Sequence, residues 1–143
     1  MFPILDARFH HMALAVNDIS DSTAALMACG FVLSPEFPDT TDEGIGVHLR
    51  FLVPRGGGTL LELVAGISSK SPVSEVLQKS GVTLYHMCFE VPDIDVAAKH
   101  LRAQGYLVVS KKIPAKAFNS RPIQFLYHVH AGLVELLQAA PVE

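Results

Sequence analysis

Residues 9–19, Phe-His-His-Met-Ala-Leu-Ala-Val-Asn-Asp-Ile, recur 75 positions later as Leu-Tyr-His-Met-Cys-Phe-Glu-Val-Pro-Asp-Ile over 84–94. His-Met, Val and Asp-Ile coincide, and the match continues through Leu26 with Leu101, Ala28 with Ala103, Gly30 with Gly105 and Phe31 with Tyr106. Phe51-Leu52 answers Phe125-Leu126, and Leu61-Glu62-Leu63 answers Val134-Glu135-Leu136, in the same order and almost the same register. Any one coincidence is cheap, but the ordered set is not. The chain is two copies of one unit, so its fold must be assembled from two equivalent halves.

Each copy predicts the same elements. An alternating run opens it, Phe9 to Val16 and Leu84 to Val91, as expected of a half-buried strand. Asp18 and Asp93 then stand where a carboxylate can accept the orphan N–H groups of a helix start. The helices place Ile19, Thr23, Leu26 and Met27, or Ile94, Ala97, Ala98 and Leu101, on one face, and Gly30 and Gly105 follow as C-terminal stops. Three strand-like runs complete each copy, near 31–33, 46–53 and 59–64 in the first and 106–109, 122–127 and 133–138 in the second. Arg55-Gly56-Gly57-Gly58 lacks the Lys-Ser/Thr ending of a phosphate loop and reads as a hairpin turn. Ser71 to Ser80 reads as a short connecting helix. The expected fold is α+β, with two tandem βαβββ modules (about 8–65 and 83–139, joined by a helix at 71–80) in a single domain.

Composition narrows the class. The 143 residues are 50% hydrophobic and 17% charged, which excludes wholesale disorder. A net charge of −3, with no basic block longer than Lys111-Lys112, argues against nucleic-acid or anionic-membrane partners. No apolar run reaches membrane-spanning length, and Met1 to Arg8 does not read as a signal peptide. Cys29 and Cys88 are too few for a disulfide scaffold and fit a reducing cytoplasm.

The informative residues are polar ones inside apolar strands. His11 and His86 are counterparts in the opening strands, and Glu62 and Glu135 are counterparts in the closing ones. An isolated buried carboxylate costs several kcal/mol or takes a proton. A divalent cation compensates all four residues at once, because two neutral imidazoles and two carboxylates balance its charge. One face of the first strand carries His11, Ala13 and Ala15, and its equivalent carries His86, Cys88 and Glu90. Taken singly, each such residue is more often structural or solvated; their joint recurrence points to a shared metal site. His10 alternates to the other face and reads as structural, and His48, His100, His128 and His130 read as surface residues.

At these residues the chain, over about 9–138, resembles the vicinal-oxygen-chelate superfamily. Its members include glyoxalase I, methylmalonyl-CoA epimerases, extradiol dioxygenases and bleomycin-resistance-type binding proteins. The stretch Leu60-Leu61-Glu62-Leu63-Val64, through Ser71-Pro72-Val73 and Leu77-Gln78-Lys79, to Tyr85-His86-Met87-Cys88-Phe89-Glu90-Val91-Pro92-Asp93-Ile94 looks most like the epimerases. Gly132-Leu133-Val134-Glu135-Leu136 is similar to the family's last metal-bearing strand. The resemblance implies a curved, cavity-enclosing mixed sheet with helices outside and metal ligands at His11, Glu62, His86 and Glu135. Three departures stand out. His128-Val129-His130-Ala131-Gly132 replaces a common Asp-Pro-x-Gly turn, Ala24-Ala25-Leu26 lacks an aromatic pair, and Val47, His48 and Leu49 stand where some epimerases carry a further Glu.

The chemistry expected from this is proton transfer beside a carbonyl. The substrate is a small acyl thioester of CoA or glutathione, with Glu62 and Glu135 as catalytic carboxylates. Zn, Ni, Co or Mn suits the ligand set. Arg50, Gln124 and Glu90 are the candidate substrate- or ligand-supporting residues, and Lys111, Lys112, Lys116 and Arg121 are candidates for a CoA phosphate. A glyoxalase I-type lactoylglutathione lyase and a non-catalytic small-molecule binding protein are the alternatives. A redox-iron dioxygenase, using His11, His86 and Glu135 with open positions, ranks below them because Glu62 fills one of those positions. A homodimer is expected from the family; whether the modules pair within one chain or across a dimer stays open.

Overall fold

The computed structural model describes residues 5–142. The first copy forms β1 (Arg8–Ala15), α1 (Ile19–Met27), β2 (Phe31–Leu33), β3 (Thr40–Asp42), β4 (Val47–Pro54) and β5 (Leu60–Gly66), and α2 (Pro72–Ser80) follows. The second copy forms β6 (Thr83–Val91), α3 (Ile94–Ala103), β7 (Leu107–Val108), β8 (Ile113–Ala115), a 3-10 turn at Lys116–Phe118, β9 (Arg121–His128) and β10 (Gly132–Gln138). By its contacts the chain divides into two compact units. One is residues 11–85; the other joins the residues up to His10 with those from His86 onward.

In each unit the sheet is mixed. The strand order is β2-β4-β5-β1 in one and β6-β10-β9-β7 in the other. The opening and closing strands of each copy run parallel, β1 with β5 and β6 with β10, while β4 and β9 pair antiparallel to their neighbours. A parallel pair needs a crossover, and the helix of each copy belongs to the segment that makes it.

The helices start where the aspartates predicted. The Asp18 carboxylate accepts from the Asp21 N–H at 2.8 Å, and that of Asp93 accepts from Asp95 and Val96 at 3.0 and 3.1 Å. Gly30 and Gly105 take φ of +98° and +96°, a backbone conformation that an L side chain resists, which is why glycine ends both helices. In the 11–85 unit, Val16, Leu52, Leu63 and Ala65 form a core that Leu14, Ile19, Leu26, Phe31 and Leu61 pack against. In the other unit, Val91, Ile94, Ala97, Ala98, Leu126, Val134 and Leu136 do the same with Phe89, Leu101 and Tyr106.

Two expectations needed correction. Each copy holds a short strand that the sequence did not reveal: β3 beside β4 and β8 beside β9. Three residues are too few to display a two-residue period, and Thr-Thr-Asp and Ile-Pro-Ala have no alternating apolar face. Pro114 is tolerated in so short a strand, although it cannot donate to a ladder. Met27, assigned to the buried face of α1, is 43% exposed, and Thr23 is the one buried residue of that helix. The Thr23 hydroxyl satisfies itself on the Ile19 carbonyl at 2.6 Å.

Leu52 and Leu126 are equivalent core residues, both fully buried. Leu52→Ala and Leu126→Ala should each lower stability by about 2–5 kcal/mol, read as a shift of the urea midpoint without a change in slope.

Candidate metal centre

The register of the parallel pairs positions the carboxylates. On β5, Glu62 lies opposite Ala13 of β1 and Phe51 of β4. His11 is two residues before Ala13 and projects from the same face. Its Nε2 stands 3.6 Å from Glu62 Oε2, with both side chains at most 5% exposed. The Phe51 ring meets His11 edge-on with centroids 6.3 Å apart, and Phe37 packs on Phe51 at 5.0 Å.

The second copy repeats each of these relations. On β10, Glu135 lies opposite Cys88 of β6 and Phe125 of β9. His86 is two residues before Cys88, and its Nε2 stands 3.7 Å from Glu135 Oε2, again at no more than 5% exposure. The Phe125 ring meets His86 edge-on at 5.3 Å. Each module therefore presents one imidazole and one carboxylate, side by side and buried.

The spacing suits ligation better than hydrogen bonding. At 3.6–3.7 Å the pairs are too far apart for a hydrogen bond. Two donors each about 2.1 Å from a common ion sit roughly 3.0–3.4 Å apart. The protonation states agree. Burial pushes the His86 pKa down to about 3, so the imidazole is neutral, which is its ligating form. Burial pushes the Glu135 carboxyl up to about 7, against the opposing pull of a hydrogen bond from the Cys88 thiol. Burial is the largest cause of the Glu135 shift, and a divalent ion is a compensation that its donor set fits.

The remaining candidates lie elsewhere. Arg50 alternates with Phe51 along β4 and faces α1, where it donates to both Asp39 oxygens at 3.0 and 2.6 Å and to Thr23 at 3.2 Å. That hydrogen bond is the chief reason the Asp39 carboxyl sits below the usual carboxylate range. A pocket of about 370 Å³ on this side is lined by Asp18, Ser20, Asp39, Thr41, His48 and Arg50, and it contains none of the four His/Glu residues. Gln124 alternates with Phe125 and donates to the Ser110 carbonyl at 3.1 Å. Glu90 shares a face with His86 but is bound by Arg8 at 2.7 Å and Arg121 at 2.9 Å. Burial works against its carboxylate, yet the Arg121 hydrogen bond and the charges of Arg8, Arg121 and His10 hold its pKa low. Glu90 and Arg121 thus neutralise one another, and Lys112 is paired with Asp95 at 2.8 Å. Alternation indicates which face a side chain takes, but not which partner is already there.

The face of β4 shared with Glu62 carries Val47, Leu49 and Phe51, all buried and apolar. His48 points the other way and bonds Thr41 at 2.9 Å. The strand on which some epimerases hold an extra carboxylate therefore offers no ionisable group on this face. The residue that the sequence reading passed over is Cys88, whose thiol meets Glu135. Its place opposite that glutamate follows from the β6–β10 register, which periodicity alone does not supply.

Residues 8–125 match the model of the glyoxalase/bleomycin resistance protein/dioxygenase superfamily. The chain belongs to that superfamily. Within it, the chain is 30% identical over 138 residues to the mitochondrial methylmalonyl-CoA epimerase of Bos taurus, covering 92% of this chain and 74% of the relative. It is 29% identical over 136 residues to an ethylmalonyl-CoA/methylmalonyl-CoA epimerase of Cereibacter sphaeroides, covering 92% and 97%. A solved methylmalonyl-CoA epimerase in complex with methylmalonyl-CoA and NH4+ superposes with a TM-score of 0.78 at 27% identity, covering 96% of this chain and 97% of that one. These matches span both modules. Among the described residues, no helix is long and apolar enough to cross a membrane.

The raised Glu135 pKa yields a stability prediction for the metal-free protein. The folded state holds this proton more tightly than the unfolded one, so Glu135 favours folding below about pH 4.5 and loses that contribution as pH rises to about 7. Glu135→Gln should therefore stabilise the chelator-treated protein by an amount that grows between those values and then levels off. Urea unfolding of both proteins across this range measures it.

Proposed function

We propose that the protein is a divalent-metal-dependent epimerase that moves the proton alpha to the carbonyl of a small acyl-CoA thioester of the methylmalonyl-CoA type. One observation carries this reading: the buried imidazole–carboxylate pair, at 3.6 Å in one module and 3.7 Å in the other, in matched strand registers. The epimerase relatives and the methylmalonyl-CoA complex of the solved epimerase support the substrate class.

In this reading His11, Glu62, His86 and Glu135 are the ligands of one divalent ion, with Zn, Ni, Co or Mn matching the mixed nitrogen and oxygen set. When bound, the ion supplies Lewis-acid stabilisation of the charge that develops on the thioester carbonyl oxygen. The protein's own residues do the rest. The His86 imidazole, neutral by burial, holds position without taking the substrate's proton. A carboxylate accepts the α-proton, and inversion requires that a proton return on the opposite face of the planar intermediate. The duplicated fold supplies two carboxylates for these two duties. Since β4 contributes only Val47, Leu49 and Phe51 to the face of Glu62, Glu62 and Glu135 are the groups to which the reading assigns proton transfer. Burial raises the basicity of Glu135, and the apolar surroundings of both carboxylates exclude water that would quench a carbanion. A homodimer is part of this reading.

The first test is metal content and exchange. The purified protein should carry about one divalent ion per chain, and the Glu62→Ala/Glu135→Ala variant should carry none. In deuterium oxide the loaded protein should exchange the α-proton of methylmalonyl-CoA, and the double variant should lose at least about 10²-fold of that rate. Formation of a hydroxyacyl-glutathione from its hemithioacetal, without exchange on the CoA ester, would overturn the reading in favour of a lyase. A protein that binds no metal would be read as a binding protein. Metal affinity should also weaken as pH falls below about 7, because Glu135 then holds a proton that ligation must displace.

A further inference from the structure

Two rows of side chains cross the sheet on the face that carries Glu135. One runs from Glu135 on β10 to Phe125 on β9 and on to Val109, whose N–H donates to the Phe125 carbonyl at 3.0 Å and so extends the β7–β9 register. The other runs from Leu133 to Tyr127 to Leu107. The outer members of both rows are open to solvent: Leu107 is 65% exposed, Val109 53% and Tyr127 43%. β7 ends the strand order, so the rows run out to an edge. The equivalent row of the other unit is Glu62, Phe51 and Ser34, with the Ser34 N–H on the Phe51 carbonyl at 2.9 Å. It ends in a hydroxyl instead of an isopropyl group, and Phe37, from between β2 and β3, lies against Phe51. The segment between β7 and β8, Val109-Ser110-Lys111-Lys112, brings no aromatic side chain to do the same. Single exposed apolar residues are ordinary, but three neighbours in register with a buried acid form a patch with a direction.

We infer that this apolar apron holds the carrier arm of the thioester substrate, with the acyl carbonyl at the Glu135 half-site and the anionic end of the carrier beyond β7. The inference rests on the acyl-CoA reading above. Two strand spacings, roughly 10 Å, separate Glu135 on β10 from Val109. A pantetheine arm is about as long as four extended residues, roughly 14 Å, so it crosses the apron and delivers its phosphates just past the edge. There the chain continues into Lys111 and Lys112, both exposed, a charge complement to those phosphates. A glutathione carrier is shorter and charged at both ends, and those ends would lose water against Leu107 and Tyr127. The repeat has thus diverged in its cover: one half-site is roofed by its own Phe37, and the other keeps an open apolar track.

Leu107→Ser/Val109→Ser removes the outer apron, and Leu33→Ser, on β2 of the other unit, is the control. With methylmalonyl-CoA and with the phosphate-free pantetheine ester, the double variant should raise KM for α-proton exchange about tenfold at unchanged kcat, as loss of uniform binding does. With the N-acetylcysteamine ester, too short to cross the apron, parent and variant should have equal kcat/KM. By calorimetry, the chelator-treated double variant should bind propionyl-CoA about tenfold more weakly than the chelator-treated parent. Lys111→Ala should raise KM for the CoA ester alone, and high salt should erase that difference. If the double variant shifts the urea midpoint, Leu107→Gln alone carries the same expectation at several-fold. An unchanged KM on both long esters overturns the inference and leaves the epimerase reading intact. So does an equal loss on the short ester, because damage at the half-site then explains it. A parent dimer that dissociates in the double variant with KM unmoved assigns the face to a second copy and overturns it as well. A parent that exchanges no proton on any of the esters overturns the epimerase reading and this inference with it.

Discussion

A carboxylate buried between two apolar strands is the interaction on which the rest of this molecule turns. Glu62 and Glu135 are each 4% exposed and lie within runs of Leu, Val and Ala. Nothing in folding favours that placement, since desolvation raises the free energy of the charged form by several kcal/mol. The chain places such a group twice, and each time sets an imidazole 3.6–3.7 Å from it. In the proposed reading, local stability surrendered in a metal-free state is regained on ligation, which would couple metal binding to folding and to pH.

The parallel pairing of the first and last strand of each module makes this arrangement possible. In that register the residue opposite the glutamate is Ala13 or Cys88, both small, so the carboxylate has room and the histidine two positions earlier shares its face. The antiparallel neighbour contributes Phe51 or Phe125 across from the same glutamate, and those rings abut the imidazoles. Three strands thus meet at each half-site with one duty apiece: imidazole, carboxylate and an apolar wall. The helix-side faces of the same strands carry Leu63 and Leu136 into the cores, so site and core are opposite faces of one pleat.

Charges outside the half-sites are organised as closed pairs. Arg50 with Asp39, Arg121 and Arg8 with Glu90, and Lys112 with Asp95 each meet an opposite charge within the same unit. The Arg50–Asp39 pair is bidentate and also reaches Thr23, so it joins the residues before β3 to both β4 and α1. Their work is to tie loops to strands. Glu62 and Glu135, by contrast, are buried among apolar residues, a contrast of environment that suits acid–base chemistry.

Much of this was legible from the amino-acid order. The repeat, with His11 on His86 at an offset of 75 and Glu62 on Glu135 at 73, set the two-module plan and selected the four polar residues; Asp18, Asp93, Gly30 and Gly105 marked the helix ends. Such features are readable because they are local or periodic: a cap is a few residues long, and a pleat repeats every two. Three things belonged to the tertiary structure. β3 and β8 exist because β4 and β9 offer them an edge, and no three-residue pattern announces that. Arg50, Gln124 and Glu90 were polar groups awaiting partners, and only the folded chain assigned them to Asp39, to the Ser110 carbonyl and to two arginines. Cys88 came to lie opposite Glu135 through strand register, a long-range relation between residues 88 and 135. Sequence records which groups a chain must bury or expose; pairing across distant segments decides what each buried group meets, because that choice is made by the global minimum of packing and desolvation and not by any neighbour in the chain.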